Sequence, residues 1–230
     1  MSAHERADLG RLRPARHVIF DLDGVLLDTE PLYTRATQAV IDEYGKVFDW
    51  AVKGDMIGKS SLEGARYLVQ RLNLPISAEA YLARRAPLLD RMFPEVDELP
   101  GARAFVEALA RRDVPMAVAT SGERALTELK LTRHGAWFSA FRAIVHGDDP
   151  RVGALKPAPD IFLVAASELD ADPASCLVFE DSLAGVAAAR AAGMQVVALP
   201  DPEMDASRYS DAYVVVSGWA ALDAERLRRE

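Results

Sequence analysis

Six short apolar runs recur along the chain: His17 to Phe20, Met116 to Ala119, Ala143 to Val145, Cys176 to Phe179, Gln195 to Leu199 and Tyr213 to Val216. They do not alternate apolar with polar residues, which is the pattern of strands covered on both faces of a parallel sheet. Helical stretches lie between them. Ala102 to Arg111 sets Phe105, Val106 and Leu109 along one helix face, Ile161 to Leu169 does the same, and Gly193 ends the run Ala184 to Ala192 as a C-terminal cap. Strands alternating with helices predict an α/β fold, a doubly wound parallel Rossmann-like sheet with its site at the C-terminal ends of the strands.

The strand pattern disappears between about Pro31 and Glu98. Leu32, Ala36, Val40 and Tyr44 recur every four residues before Gly45, a helix and its stop. Ser60 and Glu63 have capping-box spacing ahead of Leu62, Ala65, Leu68 and Leu72. A further helix is expected from Ala78 towards Phe93, broken or kinked at Pro87. Pro100-Gly101 marks the return. The expected organisation is a core of residues 15–30 and 96–230 with a small α-helical insertion at 31–95.

Composition permits this architecture and narrows its partners. A chain of 230 residues, 50% hydrophobic, can build one core domain plus an insertion. A formal net charge of −8 and a pI near 5.1 oppose nonspecific binding to nucleic acid or anionic membranes. No apolar run reaches membrane-spanning length, and Met1 to Arg16 is charged without a hydrophobic signal core. A cytoplasmic monomer acting on a small molecule is therefore expected. The single cysteine, Cys176, leaves no intrachain disulfide and reads as a small core residue.

The candidate chemistry sits at the strand ends. Asp21-Leu22-Asp23-Gly24 directly follows the first apolar run. Two carboxylates one residue apart can divide phosphoryl transfer: one attacks phosphorus to form an aspartyl-phosphate, and the other protonates the leaving alkoxide and then activates water. Residues two apart share a strand face, so Asp23 serves this role only if the chain turns after Phe20. Gly24 offers the permissive backbone. Alone, D-x-D-G also fits an ordinary turn or a calcium loop. Three further segments, each near a predicted strand end, favour the catalytic reading: Thr120-Ser121-Gly122, Lys156 opening Lys156-Pro157-Ala158-Pro159-Asp160, and Glu180-Asp181-Ser182.

In this order the motifs resemble those of the haloacid dehalogenase-like (HAD) superfamily, in its magnesium-dependent phosphatase branch with a small helical cap. The resemblance runs from about His17 to about Leu222, and Phe20 to Glu30, Gly147 to Pro150, Lys156 to Phe162 and Cys176 to Gly193 are most similar to the pseudouridine 5′-phosphatase-like subgroup. Mg²⁺ takes oxygen ligands, and Asp21 and Asp181 suit it as carboxylates. The resemblance adds the backbone carbonyl of Asp23 as a ligand and implies that Glu180 acts through water. Lys156 would stabilise the nucleophile and the transferring group, while Thr120 and the N–H groups of Ser121 and Gly122 would hold phosphoryl oxygens.

The insertion is expected to close over the site as a cap, excluding water and selecting the substrate. Within Gly58-Lys59-Ser60, Lys59 would meet a substrate phosphate or hydroxyl, or else be a solvated lysine. His134 reads as a surface-helix residue, Trp50 and Trp137 as packing residues, and Asp148 and Asp149 as turn residues or as added negative potential near the metal. The expected substrate is a small phosphorylated metabolite, a sugar phosphate or a nucleotide-like monophosphate. The first alternative is a beta-phosphoglucomutase-like phosphomutase. Ungapped alignment from Asp21 places Tyr33 where those enzymes have a histidine and Ser61 where they have a phosphate-gripping arginine, which favours hydrolysis. The second alternative, a non-catalytic binding protein that kept the fold, requires lost motif residues, and none is lost.

Overall fold

The computed structural model describes residues 12–56 and 60–227. Six strands among them form one sheet: β1 (His17–Phe20), β2 (Met116–Ala119), β3 (Ala143–Val145), β4 (Cys176–Glu180), β5 (Gln195–Ala198) and β6 (Val214–Val215), in the order β3-β2-β1-β4-β5-β6. All pairings are parallel. The strand order reverses at β1, so the crevice beyond its C-terminal end is the place where an open α/β sheet receives ligands.

Successive β1 residues enter opposite cores. Val18 and Phe20 pack with Phe105, Phe179 and Trp219 on one face. Ile19 packs with Phe162, Val178, Val186 and Val196 on the other. Side chains alternate across a strand, and because both faces are covered both sets must be apolar. This explains the unbroken apolar runs.

Among the described residues five α-helices lie between β1 and β2, and the first four form the insertion: α1 (Glu30–Ile41), α2 (Trp50–Lys53), α3 (Ser61–Leu72) and α4 (Ala78–Met92). They enclose their own cluster, including Val40, Ile41, Leu68, Leu74 and Tyr81. Ser60 and Glu63 form the expected capping box at the start of α3. α4 runs through Pro87 without a break. Pro87 and Ala83, whose carbonyl loses its helical donor there, are both exposed, so the unpaired carbonyl is not buried away from solvent.

The remaining helices are α5 (Ala102–Ala110), α6 (Arg124–Lys130), α7 (Gly135–Phe138), α8 (Asp160–Glu168) and α9 (Leu183–Ala191). His134, expected at the surface, is buried instead: Trp137 Nε1 donates to its Nδ1 at 3.2 Å, and its Nε2 meets the Val96 carbonyl at 2.9 Å. With Nδ1 accepting, Nε2 carries the proton and donates. The ring thereby ties α7 to the segment that returns from the insertion. Among the described residues, no helix is long and apolar enough to cross a membrane.

Candidate active site

β1 hands its chain to the site through a tight loop. The Asp21 N–H still donates to Phe179 O at 2.9 Å, after which Leu26 and Leu27 both donate back to Leu22 O, at 2.9 and 3.0 Å. Gly24 holds φ +73°, and a Cβ there would lie 2.3 Å from Asp181 Oδ2. The turn expected after Phe20 therefore needs glycine for its backbone and for the closeness of a second motif.

Lys156 joins the motifs. Its Nζ donates to Asp21 Oδ1 at 2.5 Å, Glu180 Oε1 at 2.6 Å and the Ala119 carbonyl at 3.1 Å, engaging all three ammonium protons. Glu180 closes the β4 side: its Oε2 accepts from Ser182 N at 2.8 Å and Ser182 Oγ at 3.0 Å. Ser182 also caps α9 by accepting from Gly185 N. Both oxygens of Glu180 are thus engaged within the protein. The carboxylate packs so closely on α9 that a Cβ at Gly185 would lie 1.7 Å from Glu180 Oε1.

Asp21, Glu180 and Asp181 each bring an oxygen within 4.8 Å of the others. Burial raises the Asp21 and Asp181 carboxyls above the usual carboxylate range, the neighbouring carboxylates raise them further, and Lys156 opposes the shift. Burial disfavours the Lys156 charge, yet Asp21 and Glu180 hold it above the usual lysine range. One ammonium faces three carboxylates, and among the described residues no hydrogen bond or ion pair engages the Asp181 carboxylate. This hard, all-oxygen, under-neutralised donor set fits Mg²⁺.

The crevice opens into a cavity of about 260 Å³ between the sheet and the insertion. Asp21, Asp23, Thr120, Ser121, Lys156, Glu180 and Asp181 line its sheet side, and Tyr33, Thr34, Lys53, Ser60, Ser61 and Arg85 its helical side. Gly122, expected to offer an N–H to phosphate, does not line it. Its N–H donates to Thr120 Oγ1 at 3.1 Å, stabilising the loop itself. Lys59 lies outside the described residues. Asp149 binds Arg151 two residues on, a local turn contact, whereas Asp148 accepts from Arg124 N, 24 residues away at the start of α6. Trp137 packs in the core on one face of the sheet and Trp50 against the core on the other. Cys176 is buried, and burial pushes its thiol up to about 11.

Two site residues escaped the sequence reading. Lys130, the last residue of α6, donates to both Asp23 oxygens at 2.7 Å and to the Tyr33 hydroxyl at 3.3 Å. Burial opposes its charge, but Asp23 and Tyr33 hold it above the usual lysine range. In sequence it is indistinguishable from a lysine complementing a helix dipole. Arg85 of α4 places its guanidinium 5.7 Å from the Tyr33 ring centroid and 5.3 Å from that of Tyr81. Its neighbour Arg84 is exposed, and nothing in the run Ala83-Arg84-Arg85 tells the inward arginine from the outward one.

A family model for haloacid dehalogenase-like hydrolases matches residues 15–193. An Arabidopsis thaliana (DL)-glycerol-3-phosphatase is 40% identical over 206 residues, covering 87% of this chain and 86% of its own. A Drosophila melanogaster protein named as a probable pseudouridine-5′-phosphatase is 40% identical over 218 residues, covering 94% of each. Among solved structures, a Thermotoga maritima protein assigned as a beta-phosphoglucomutase superimposes with a TM-score of 0.73 at 32% identity, over 90% of this chain and 96% of that one. The chain belongs to the haloacid dehalogenase-like hydrolase family, and within it to the phosphatases.

Proposed function

We propose that the chain hydrolyses phosphate monoesters of small metabolites through an aspartyl-phosphate on Asp21. The observation that carries this reading is the Asp21–Lys156 pair on the cavity floor, with Asp23 facing the same space two residues on. An Asp21 oxygen attacks phosphorus, the P–O ester bond breaks, and Asp23 gives its proton to the departing oxygen. Asp23 next takes a proton from a water that attacks the phosphoryl group, releasing phosphate and restoring Asp21. Thr120 and the Ser121 N–H hold phosphoryl oxygens, and Lys156 offsets charge on the nucleophile. Mg²⁺ held by Asp21, Asp181 and the Asp23 carbonyl, with Glu180 acting through water, would offset the repulsion between these carboxylates and a phosphate dianion.

Residues 31–95 serve in this reading as a cap on a core of 15–30 and 96–230, and Lys59 as a substrate contact from the cap. The relatives named for glycerol-3-phosphate and pseudouridine 5′-phosphate support a polyol, sugar or nucleotide-like phosphate as substrate. A cytoplasmic monomer completes the proposal.

A phosphomutase reading draws on Arg85, which brings an arginine to the helical wall although Ser61 does not. One experiment separates the two. Phosphorylated metabolites are incubated with Mg²⁺, and both free phosphate and isomerised product are measured. Hydrolysis predicts free phosphate without a bisphosphate activator, silenced by chelation and restored by Mg²⁺. Activator-dependent conversion of beta-glucose 1-phosphate to glucose 6-phosphate, with little phosphate released, would overturn it.

A further inference from the structure

We infer that Lys130 is the positioning residue of the acid/base: it stands behind Asp23 and fixes the carboxylate that faces the leaving group. The inference rests on the phosphatase reading above and assigns a role to a residue outside the family motifs. Lys130 does not line the cavity, whereas Asp23 does. The lysine side chain is 0% exposed and the aspartate 25% exposed, so the aspartate alone is open to substrate. All three ammonium protons are engaged, two on the Asp23 oxygens at 2.7 Å and one on the Tyr33 hydroxyl at 3.3 Å.

Packing alone does not account for a charge at this position. A buried ion pair is often no more stabilising than apolar residues filling the same space, and the Phe93 ring, 4.7 Å from Nζ, shows that the site is apolar enough for such a residue. What the ammonium adds is orientation. Two bonds from one nitrogen fix the plane of the carboxylate, where a single bond would let it rotate. Proton transfer to a leaving oxygen depends on such placement to within a fraction of an ångström. The arrangement also spans two parts of the fold, because Asp23 and Lys130 come from the sheet side while Tyr33 and Phe93 come from the helical insertion.

The test measures kcat and KM for K130M, D23N and the double variant, with glycerol 3-phosphate as an alkyl ester and p-nitrophenyl phosphate as an aryl ester. Melting temperatures are recorded alongside. K130M is expected to lose roughly 10²-fold in kcat on the alkyl ester, within the range of general acid/base catalysis, and under about threefold on the aryl ester, whose departing oxygen needs no proton. In the D23N background the same substitution should cost under about twofold, because its effect runs through the missing carboxylate. If K130M does not fold, K130Q, which keeps an amide donor in similar space, yields the same two ratios. Equal losses on both esters, or an undiminished loss in the D23N background, would make Lys130 a purely structural residue and overturn the inference. A wild type that releases no phosphate from either ester would instead remove the phosphatase reading, and the inference with it.

Discussion

Two buried lysines serve the two aspartates of one loop in contrasting ways. Lys156 lies in the cavity wall and divides its charge between Asp21 and Glu180, from two neighbouring strand ends, with the Asp181 carboxylate close by and without a hydrogen bond or ion pair among the described residues. Lys130 stands outside the cavity and gives two of its bonds to Asp23 alone, within an apolar surround. The first environment retains an excess of negative charge and calls for a cation. The second is locally balanced. Carboxylates only two residues apart thus meet different electrostatic conditions, which is what separate nucleophile and acid/base roles require.

The largest expected effect strikes the first pair. Asp21→Asn should lose roughly 10⁴-fold or more in turnover, the scale of removing a covalent nucleophile, on alkyl and aryl esters alike. Its melting temperature in metal-free buffer should be unchanged or higher, because the amide relieves crowding among buried carboxylates. Substantial activity in a folded variant would end the proposed division of roles.

Lys156→Met should come next, losing about 10²- to 10³-fold in kcat as expected for a removed electrostatic stabiliser. This loss should be similar for both ester types, because Lys156 acts on the nucleophile and the transferring group. Dependence on the leaving group, as expected for Lys130, would dissolve the contrast between the lysines.

The smallest expected effect sharpens the Glu180 side. A Gly→Ala change in an exposed helix interior ordinarily stabilises by up to about 1 kcal/mol, but Gly185 is buried. In Gly185→Ala the added methyl meets Glu180 Oε1 at 1.7 Å, and overpacking of this kind costs about 1–3 kcal/mol. Chemical denaturation should therefore give a net loss of stability, and activity should fall as Glu180 is pushed away from Lys156. A more stable variant would show that Glu180 has room to move.

Much of the site was legible because its chemistry sits where the chain leaves the sheet. Asp21, Asp23, Thr120 and Asp181 lie in loops that leave short apolar runs, Glu180 ends such a run as the last residue of β4, and Lys156 opens a proline-rich stretch, so each motif arrives with its own structural marker. Lys130, Arg85 and His134 lack that marker. Each lies on or beside a helix whose polar residues look alike in sequence, and only packing selects the inward one. Gly122 taught the converse: its backbone N–H was available by sequence and engaged by Thr120 in the fold.

By itself the sequence determined the class of fold, the strand positions, the helical insertion and the chemical identity of the motif residues, because burial on both sheet faces and capping chemistry leave local records in composition and spacing. Tertiary structure alone decided the strand order β3-β2-β1-β4-β5-β6, the passage of α4 through Pro87, and which of two lysines meets which aspartate. Those outcomes depend on groups as far apart as Lys130 and Asp23, 107 residues along the chain. Contacts at such separation are settled by the packing of whole elements, and no local pattern encodes them.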